Sequence, residues 1–161
     1  MAERVIVKQD KRFQTIFLAA DPEDPHSNEF ERVDDLHQIT PYGMLLCSLG
    51  SCTALVVHTF AQNHELSLDA VEIHLSYQRV FREDCEGCDE DLKFTEEIGE
   101  RILLLGNLSP ADRQKLLRIA HYCPIFKMLS DGIKVTTSLI EQKDIVDYVE
   151  KDVGPEEDQD Y

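Results

Sequence analysis

The chain has 161 residues, a length that suits one domain with a buried core and needs no disulfide or metal to fold. Its 32 acidic residues outnumber the 16 basic ones, for a net charge of −16. A surface this acidic repels phosphate backbones and anionic lipid headgroups, which argues against nucleic-acid and membrane-surface binding. The first residues contain no apolar signal region, so we expect a cytoplasmic protein.

The first predicted elements are two strands and a long loop. Residues 4–9 and 13–20 are predicted strands that flank a polar hairpin tip at Asp10 and Lys11. Residues 21–39 are polar and contain Pro and Asp. Loops of this length in a compact domain are often functional or mobile.

A long apolar helix is predicted from Pro41 to about Asn63, with Thr40 as its N-cap. Apolar residues occur on nearly every side of this helix, a pattern typical of a buried helix. Its most apolar window, residues 44–61, is just long enough to span a bilayer, but it contains polar residues and lacks flanking basic clusters. We therefore expect a buried helix.

The second half of the chain predicts more strands and a second helix. Strands are expected at residues 70–81 and 92–105, and Ser109 is a good N-cap for a helix that Pro124 interrupts. A last strand is predicted at 133–140.

This order of elements, with short turns between paired strands, favours an antiparallel sheet in an α+β domain. We place the domain at residues 1–145 and an acidic C-terminal tail at 146–161.

Five cysteines in a reducing compartment are expected to be free, metal-bound or catalytic. Cys47 and Cys52 lie in the predicted buried helix, where a cysteine is commonly a small hydrophobic residue. Cys123 precedes Pro124 and is placed to cap the helical segment that follows, where free N–H groups favour a thiolate. The alternative for Cys123 is a packed residue beside a proline kink.

Cys85 and Cys88 form a C-x-x-C pair in an acidic turn between two predicted strands. Zinc sites use this spacing, but no second ligand pair is nearby in sequence. A redox pair is disfavoured because the surrounding carboxylates raise thiol pKa values. An incidental or structural role is the third interpretation.

Two segments carry a family resemblance. Residues 40–54, TPYGMLLCSLGSCTA, resemble the first-cysteine helix of the OsmC/Ohr thiol peroxidases, and residues 119–125, IAHYCPI, resemble their second-cysteine helix. The order of strands and helices is also similar from about residue 3 to 141, and the Cys85–Cys88 turn is similar to a less characterised, OsmC-like branch.

The resemblance implies a fold and a reaction. The fold would be an intertwined homodimer in which antiparallel sheets wrap around two central helices. Cys52 would attack an organic hydroperoxide and become a sulfenic acid, Cys123 would condense with it to a disulfide, and an external dithiol would reduce that disulfide. The reaction needs no metal or organic cofactor.

The chain departs from the family pattern near the first cysteine. Characterised family peroxidases have a glutamate after the proline that opens the helix, paired with an arginine that stabilises the thiolate. Here Tyr42 takes the place of the glutamate. Arg32 is the first candidate for the arginine and Arg12 the second, and each could instead be a surface residue.

These departures leave two further hypotheses open. The first is a redox-inert dimer of the same fold that binds a small hydrophobic ligand, which the missing glutamate favours. The second is a zinc-binding protein that uses Cys85 and Cys88.

Overall fold

Five antiparallel strands form one sheet in the computed structural model, which describes residues 2–24, 27–81 and 94–139. Three helices follow or interrupt them, so the α+β class is confirmed. The elements are β1 (Ala2–Asp10), β2 (Thr15–Ala19), β3 (Glu31–Arg32), α1 (Pro41–Asn63), β4 (Leu68–Phe81), β5 (Phe94–Gly106), α2 (Pro110–Ala120) and α3 (Pro124–Asp131).

The strand order is β3-β2-β1-β4-β5, so β3 and β5 are the two edges of the sheet. The predicted hairpin of β1 and β2 is confirmed, although β2 begins later than expected. Phe13 has a φ of 64°, and the carboxylate of Asp10 accepts hydrogen bonds from the amides of Arg12 and Gln14. This turn occupies residues that the sequence pattern assigned to the strand.

The predicted loop at residues 21–39 contains two short ordered elements. β3 pairs with β2 in antiparallel register. A 3₁₀ turn at Leu36–Gln38 is capped by Asp35, whose carboxylate accepts from the amide of His37. Pro25 and His26 lie outside the described residues.

α1 begins and ends where the sequence predicts. The Thr40 hydroxyl accepts a hydrogen bond from the amide of Gly43 and donates one to the carboxylate of Glu3 on β1, at 2.7 Å. The helix then packs on β1 and β4 at close range. A Cβ on Gly50 would lie 2.6 Å from Val7 Cγ2 and 2.7 Å from Leu75 Cδ1, so any larger residue would force these side chains to shift.

α1 is also long and apolar enough to cross a membrane, with a mean hydropathy of 1.7 over its most apolar window. Length and composition alone are weak evidence, because core helices of globular domains pass the same criterion. Here one face of the helix is buried against the sheet, whereas the opposite face exposes Met44, Leu45 and Leu55, so the predicted burial holds for one face only. Its buried residues are Gly43, Leu46, Leu49, Gly50, Thr53, Ala54, Val57, His58 and Ala61.

The predicted break at Pro124 is confirmed. Ser109 caps α2, which ends at Ala120, and Cys123 is the N-cap of α3. Proline has no N–H to continue the hydrogen-bond ladder of α2, but it fits the first position of a new helix.

The predicted strand at 133–140 is wrong for the residues that the structure describes. Residues 132–139 have no regular secondary structure, and Ile133, Val135 and Leu139 are exposed, the last completely. A strand forms only against a neighbouring strand, and these residues have none within the described part of the chain.

Candidate thiol site

α1 and the α2–α3 turn bring the two predicted redox cysteines together. Cys123 is fully buried, Cys52 is partly exposed, and both are free thiols. They are close enough for the Cys123 thiol to affect ionisation of Cys52 directly. Seventy residues separate the two cysteines in the sequence. The helix break at Pro124 places Cys123 next to Cys52.

The N-terminus of α3 lies at both sulfur atoms. The amide of Phe126 donates to Cys123 Sγ at 3.5 Å, and the amide of Ile125 is near enough to Cys52 to lower the pKa of its thiol. Both amides belong to the first turn of the helix, whose N–H groups have no partner inside the helix. These amides, with the positive end of the helix dipole, favour a negative charge on sulfur.

Other neighbours oppose ionisation of Cys52. Burial raises the pKa of this thiol most, and the Cys123 thiol and the charge of Glu100 raise it further; the Ile125 amide lowers it. Cys47, five residues earlier on α1, has its pKa raised to about 11 by burial alone. The pKa values of both thiols are raised. Cys52 differs from Cys47 because neighbouring groups, and not burial alone, affect its ionisation.

A cleft of about 420 Å³ is lined by neighbours of the two thiols, although neither cysteine itself lines it. Leu49, one helical turn before Cys52, is a lining residue, and so is Phe126, whose amide donates to Cys123. A cleft of this size suits a small organic molecule. Its walls are largely apolar or aromatic and are formed by Tyr42, Leu45, Leu49, Tyr77, Ile98, Phe126 and Leu129, with Glu96, Glu100 and Ser130 as polar groups.

Glu100 lies on the helix-facing side of β5. Its register partner on β4 is Leu75, which is buried against α1. Burial raises the pKa of Glu100, whereas the hydroxyl of Thr53 and the charge of His121 lower it. Within the described residues, Oε1 of Glu100 and Oγ1 of Thr53 are buried without completing a hydrogen bond.

A second carboxylate, that of Glu96, lines the same cleft and is hydrogen-bonded. Glu96 accepts a hydrogen bond from the Tyr77 hydroxyl at 2.8 Å and one from Arg79 at 3.0 Å. These bonds lower the pKa of Glu96. Tyr42, which takes the place of the family glutamate, stacks on Tyr77 with ring centroids 4.6 Å apart. The residue that departs from the family pattern is therefore a wall of the cleft.

Neither candidate arginine lies at Cys52 within this chain. Arg32 is on β3, at the sheet edge opposite β5, where its Nε pairs with Asp34 at 2.9 Å and most of its side chain is exposed. Arg12 is at the hairpin tip, which contacts α1 through a bond from Gln62 to the Lys11 carbonyl. Gln62 is ten residues beyond Cys52, about 15 Å along a helix.

The sequence analysis did not identify Glu96 or Glu100. Both fall within the predicted strand at 92–105, and residues 96, 98 and 100 share one face because strand side chains alternate. That alternation was the available signal. Which face meets α1 depends on the pairing of β5 with β4, which the sequence pattern left open.

The zinc hypothesis cannot be placed on this structure, because Cys85 and Cys88 lie outside the described residues. Within residues 2–24, 27–81 and 94–139, no group of three or more His, Cys, Asp or Glu side chains could hold a metal ion. The thiol site brings the sulfurs of Cys52 and Cys123 near the carboxylate of Glu100, but these three side chains do not form a metal-binding group.

Comparison with known proteins places the chain in a family. The family model for "OsmC-like protein" matches residues 33–138, 106 of the 161 residues. The crystal structure of an OsmC-like hydroperoxide resistance protein from Jannaschia sp. CCS1 has a similar fold, with a TM-score of 0.56 and 13% identity over 88% of this chain and 95% of that chain. No curated protein sequence matches. The chain belongs to the family of OsmC-like proteins.

Proposed function

We propose that the protein is a thiol-dependent peroxidase that reduces organic hydroperoxides. Cys52 is the attacking sulfur, and Cys123 resolves the product of the first step. The observation that carries this proposal is the shared N-terminus of α3, where the Phe126 amide donates to Cys123 Sγ and the Ile125 amide lowers the pKa of Cys52. Family membership and the similarity in fold to a hydroperoxide resistance protein support the same reaction class.

The reaction proceeds in three steps. The Cys52 thiolate attacks the terminal oxygen of the hydroperoxide, so that an S–O bond forms, the O–O bond breaks and an alcohol leaves after taking up a proton. The Cys123 thiol then attacks the Cys52 sulfenic acid, and water leaves as the disulfide forms. An external dithiol reduces the disulfide by thiol exchange, and a reducing compartment such as the cytoplasm would supply it.

The substrate class follows from the cleft. Apolar and aromatic side chains line most of its surface, and its volume of about 420 Å³ accommodates an alkyl or aryl group next to the peroxide. Hydrogen peroxide would leave these walls in contact with water. An organic hydroperoxide would bury apolar surface at about 25 cal/mol per Å².

We also propose that the working unit is a homodimer. The outward face of α1 and the segment that follows α3 expose large apolar side chains, more than an isolated domain usually leaves in contact with water. A second copy would cover this face and would offer residues 133–139 a strand to pair with. The exposed residues include Met44, Leu45, Leu55, Ile133, Val135 and Leu139.

The homodimer is tested by light scattering after size-exclusion chromatography. We expect twice the 18.5 kDa mass of one chain. Leu55→Asp places a charge on the α1 face and should yield a monomer, whereas Leu36→Asp, on the 3₁₀ turn, should not. A monomeric wild type would overturn the dimer without affecting the chemistry of Cys52.

The peroxidase proposal is tested by mixing the purified protein with cumene hydroperoxide and dihydrolipoamide. Wild type should consume peroxide, and Cys52→Ser should reduce the rate by about 10³-fold or more, because the nucleophile is lost. Cys47→Ser is the matched control on the same helix and should retain the rate. Equal consumption by wild type and Cys52→Ser would exclude the mechanism.

A specific observation favours a second candidate function, a redox-inert binding protein. The pKa of Cys52 is raised, and neither Arg32 nor Arg12 offsets this within the chain. The cleft would then hold a small hydrophobic ligand. Alkylation of Cys52 across pH, in a variant without Cys47 and Cys123, separates the two functions: little reaction near neutral pH together with no peroxide consumption would favour the binding protein.

A further inference from the structure

The two carboxylates of the cleft differ in a way that the proposed reaction can use. Glu96 and Glu100 occupy one face of β5, two alternations apart. Glu96 already accepts hydrogen bonds from Tyr77 and Arg79. Glu100 lines the cleft and is half-buried; its Oε1 is buried without a completed hydrogen bond among the described residues, with the Thr53 hydroxyl as the neighbour that acts on the carboxyl group. A half-buried carboxyl group with an incomplete set of hydrogen bonds is stabilised by holding a proton.

The reaction has a matching requirement. Attack of Cys52 on the terminal oxygen pushes an electron pair onto the oxygen that bears the alkyl group. An alkoxide is a strong base, so its departure is slow unless an acid protonates it during bond cleavage. Within the described residues that line the cleft, Glu100 is the carboxyl group whose charge also acts on Cys52.

We infer that Glu100 is the general acid of this site, which protonates the leaving alcohol oxygen as Cys52 attacks the peroxide; the inference rests on the proposed peroxidase function. Glu100 lines the cleft in which the hydroperoxide would lie, and its charge acts on Cys52, so the carboxyl group is near both the cleft and the attacking sulfur.

The proton balance closes within the pair. The Cys52 thiol passes its proton to the Glu100 carboxylate, directly or through water, which gives a thiolate beside a carboxylic acid. The sulfur then bonds to the terminal oxygen, the O–O bond breaks, and Glu100 returns the proton to the alkyl-bearing oxygen. The products are a sulfenic acid on Cys52, a neutral alcohol and the Glu100 carboxylate.

The electrostatics of the site support this sharing of one proton. The charge of Glu100 raises the pKa of Cys52, and by reciprocity a thiolate at Cys52 raises the pKa of Glu100. Desolvation acts on Glu100 in the same direction, whereas Thr53 from α1 and His121 from the α2–α3 turn oppose it. The two groups therefore favour a state with one negative charge between them.

The experiment compares two oxidants that differ in their leaving group. Cumene hydroperoxide releases an alkoxide, which needs a proton, whereas peracetic acid releases acetate, which leaves unprotonated at neutral pH. The rate of Cys52 oxidation is measured in a single turnover at about pH 7, with an alkylation quench and mass spectrometry, for wild type and Glu100→Gln.

We expect Glu100→Gln to lose about 10²-fold in rate with cumene hydroperoxide, which is the usual contribution of a general acid. With peracetic acid the rate should be unchanged or higher, because removal of the Glu100 charge favours the Cys52 thiolate. Glu97→Gln is the control on the opposite face of the same strand, outside the cleft, and both of its rates should stay within about twofold of wild type, because Glu97 has no role in the proton transfer.

Three results would overturn the inference. Equal losses with both oxidants would show that Glu100 acts on the thiol or on the fold. No loss with either would show that another group protonates the alcohol, and an equal loss of the cumene hydroperoxide rate in Glu97→Gln would show that the effect does not depend on a carboxyl group in the cleft. If wild type and Cys52→Ser react alike with both oxidants, the peroxidase proposal itself fails, and this inference fails with it.

Discussion

α1 passes two buried polar sites, and they differ in one respect. At the first, Thr53 and Glu100 leave oxygen atoms buried without a partner, beside Cys52 and a cleft. At the second, His58 is buried with its Nε2 unpartnered, while Nδ1 donates to Gln9 Oε1 at 2.8 Å. Glu100 of the first site lines the cleft, whereas His58 does not line it.

The comparison shows that an unpartnered buried atom does not by itself indicate function. His58 is held between a Gln9 bond and the edge of the Phe13 ring, so no substrate can reach it. Glu100 also has a buried atom without a hydrogen-bond partner, but this residue lines a cleft and its charge acts on Cys52. Access to a small molecule, rather than the deficit, distinguishes a candidate site from a structural residue.

The largest expected effect concerns the resolving thiol. Cys123→Ser should reduce turnover with cumene hydroperoxide and a dithiol by about 10²-fold, because an intramolecular attack becomes bimolecular. Mass spectra of the peroxide-treated variant should show Cys52 one oxygen heavier and no Cys52-containing disulfide within the chain. His58→Gln, the counterpart at the closed site, should turn over within about twofold of wild type, since it has no catalytic role.

The next effect concerns the helix between the two sites. Gly50→Ala introduces a methyl group that would lie 2.6 Å from Val7 Cγ2, and such overpacking costs about 1–3 kcal/mol. Chemical denaturation should show this loss in the free energy of unfolding. Ser48→Ala, at an exposed position of α1, should change it by less than about 0.5 kcal/mol. Equal stability of Gly50→Ala and wild type would contradict the close approach of helix and sheet.

A smaller effect is the pH dependence of the closed site. Burial lowers the pKa of His58, so the unfolded chain binds the proton more readily than the folded one. Stability from this residue is therefore complete above about pH 6.5 and is lost as the pH falls, with a slope of at most about 1.4 kcal/mol per unit. Unfolding of His58→Gln should depend less on pH in this range, and an identical slope would exclude the assignment.

The smallest expected effect concerns Thr53, which neighbours Glu100 at the cleft. The Thr53 hydroxyl lowers the pKa of Glu100, so Thr53→Val should raise it. The alkaline limit of the cumene hydroperoxide rate, where the pair of Cys52 and Glu100 loses its shared proton, should move to higher pH. The peracetic acid profile serves as the internal reference, and a displacement of both profiles together would assign the change to Cys52 instead.

Local signals in the sequence were sufficient for most of the elements. Thr40 with Pro41 and Ser109 with Pro110 mark helix starts because a cap oxygen and a proline satisfy the first turn without outside help. Pro124 likewise ends one helix and begins another, which placed Cys123 at an N-cap. The strand predicted at 133–140 failed because a strand depends on a neighbour, and the alternation of its residues carries no information about one.

Some residues of the candidate site could be predicted from the local sequence, and others could not. The two cysteines could be identified from their sequence contexts, because the residues around each one are a short continuous segment. Glu100 could not, since its role depends on the register of β5 against β4 and on the position of α1 above them. The positions of Arg32 and Arg12, far from Cys52 within the chain, were also decided by the sheet order. Caps, turns and periodicity are properties of neighbouring residues, whereas a cleft and the charges that face it exist only after distant segments have packed.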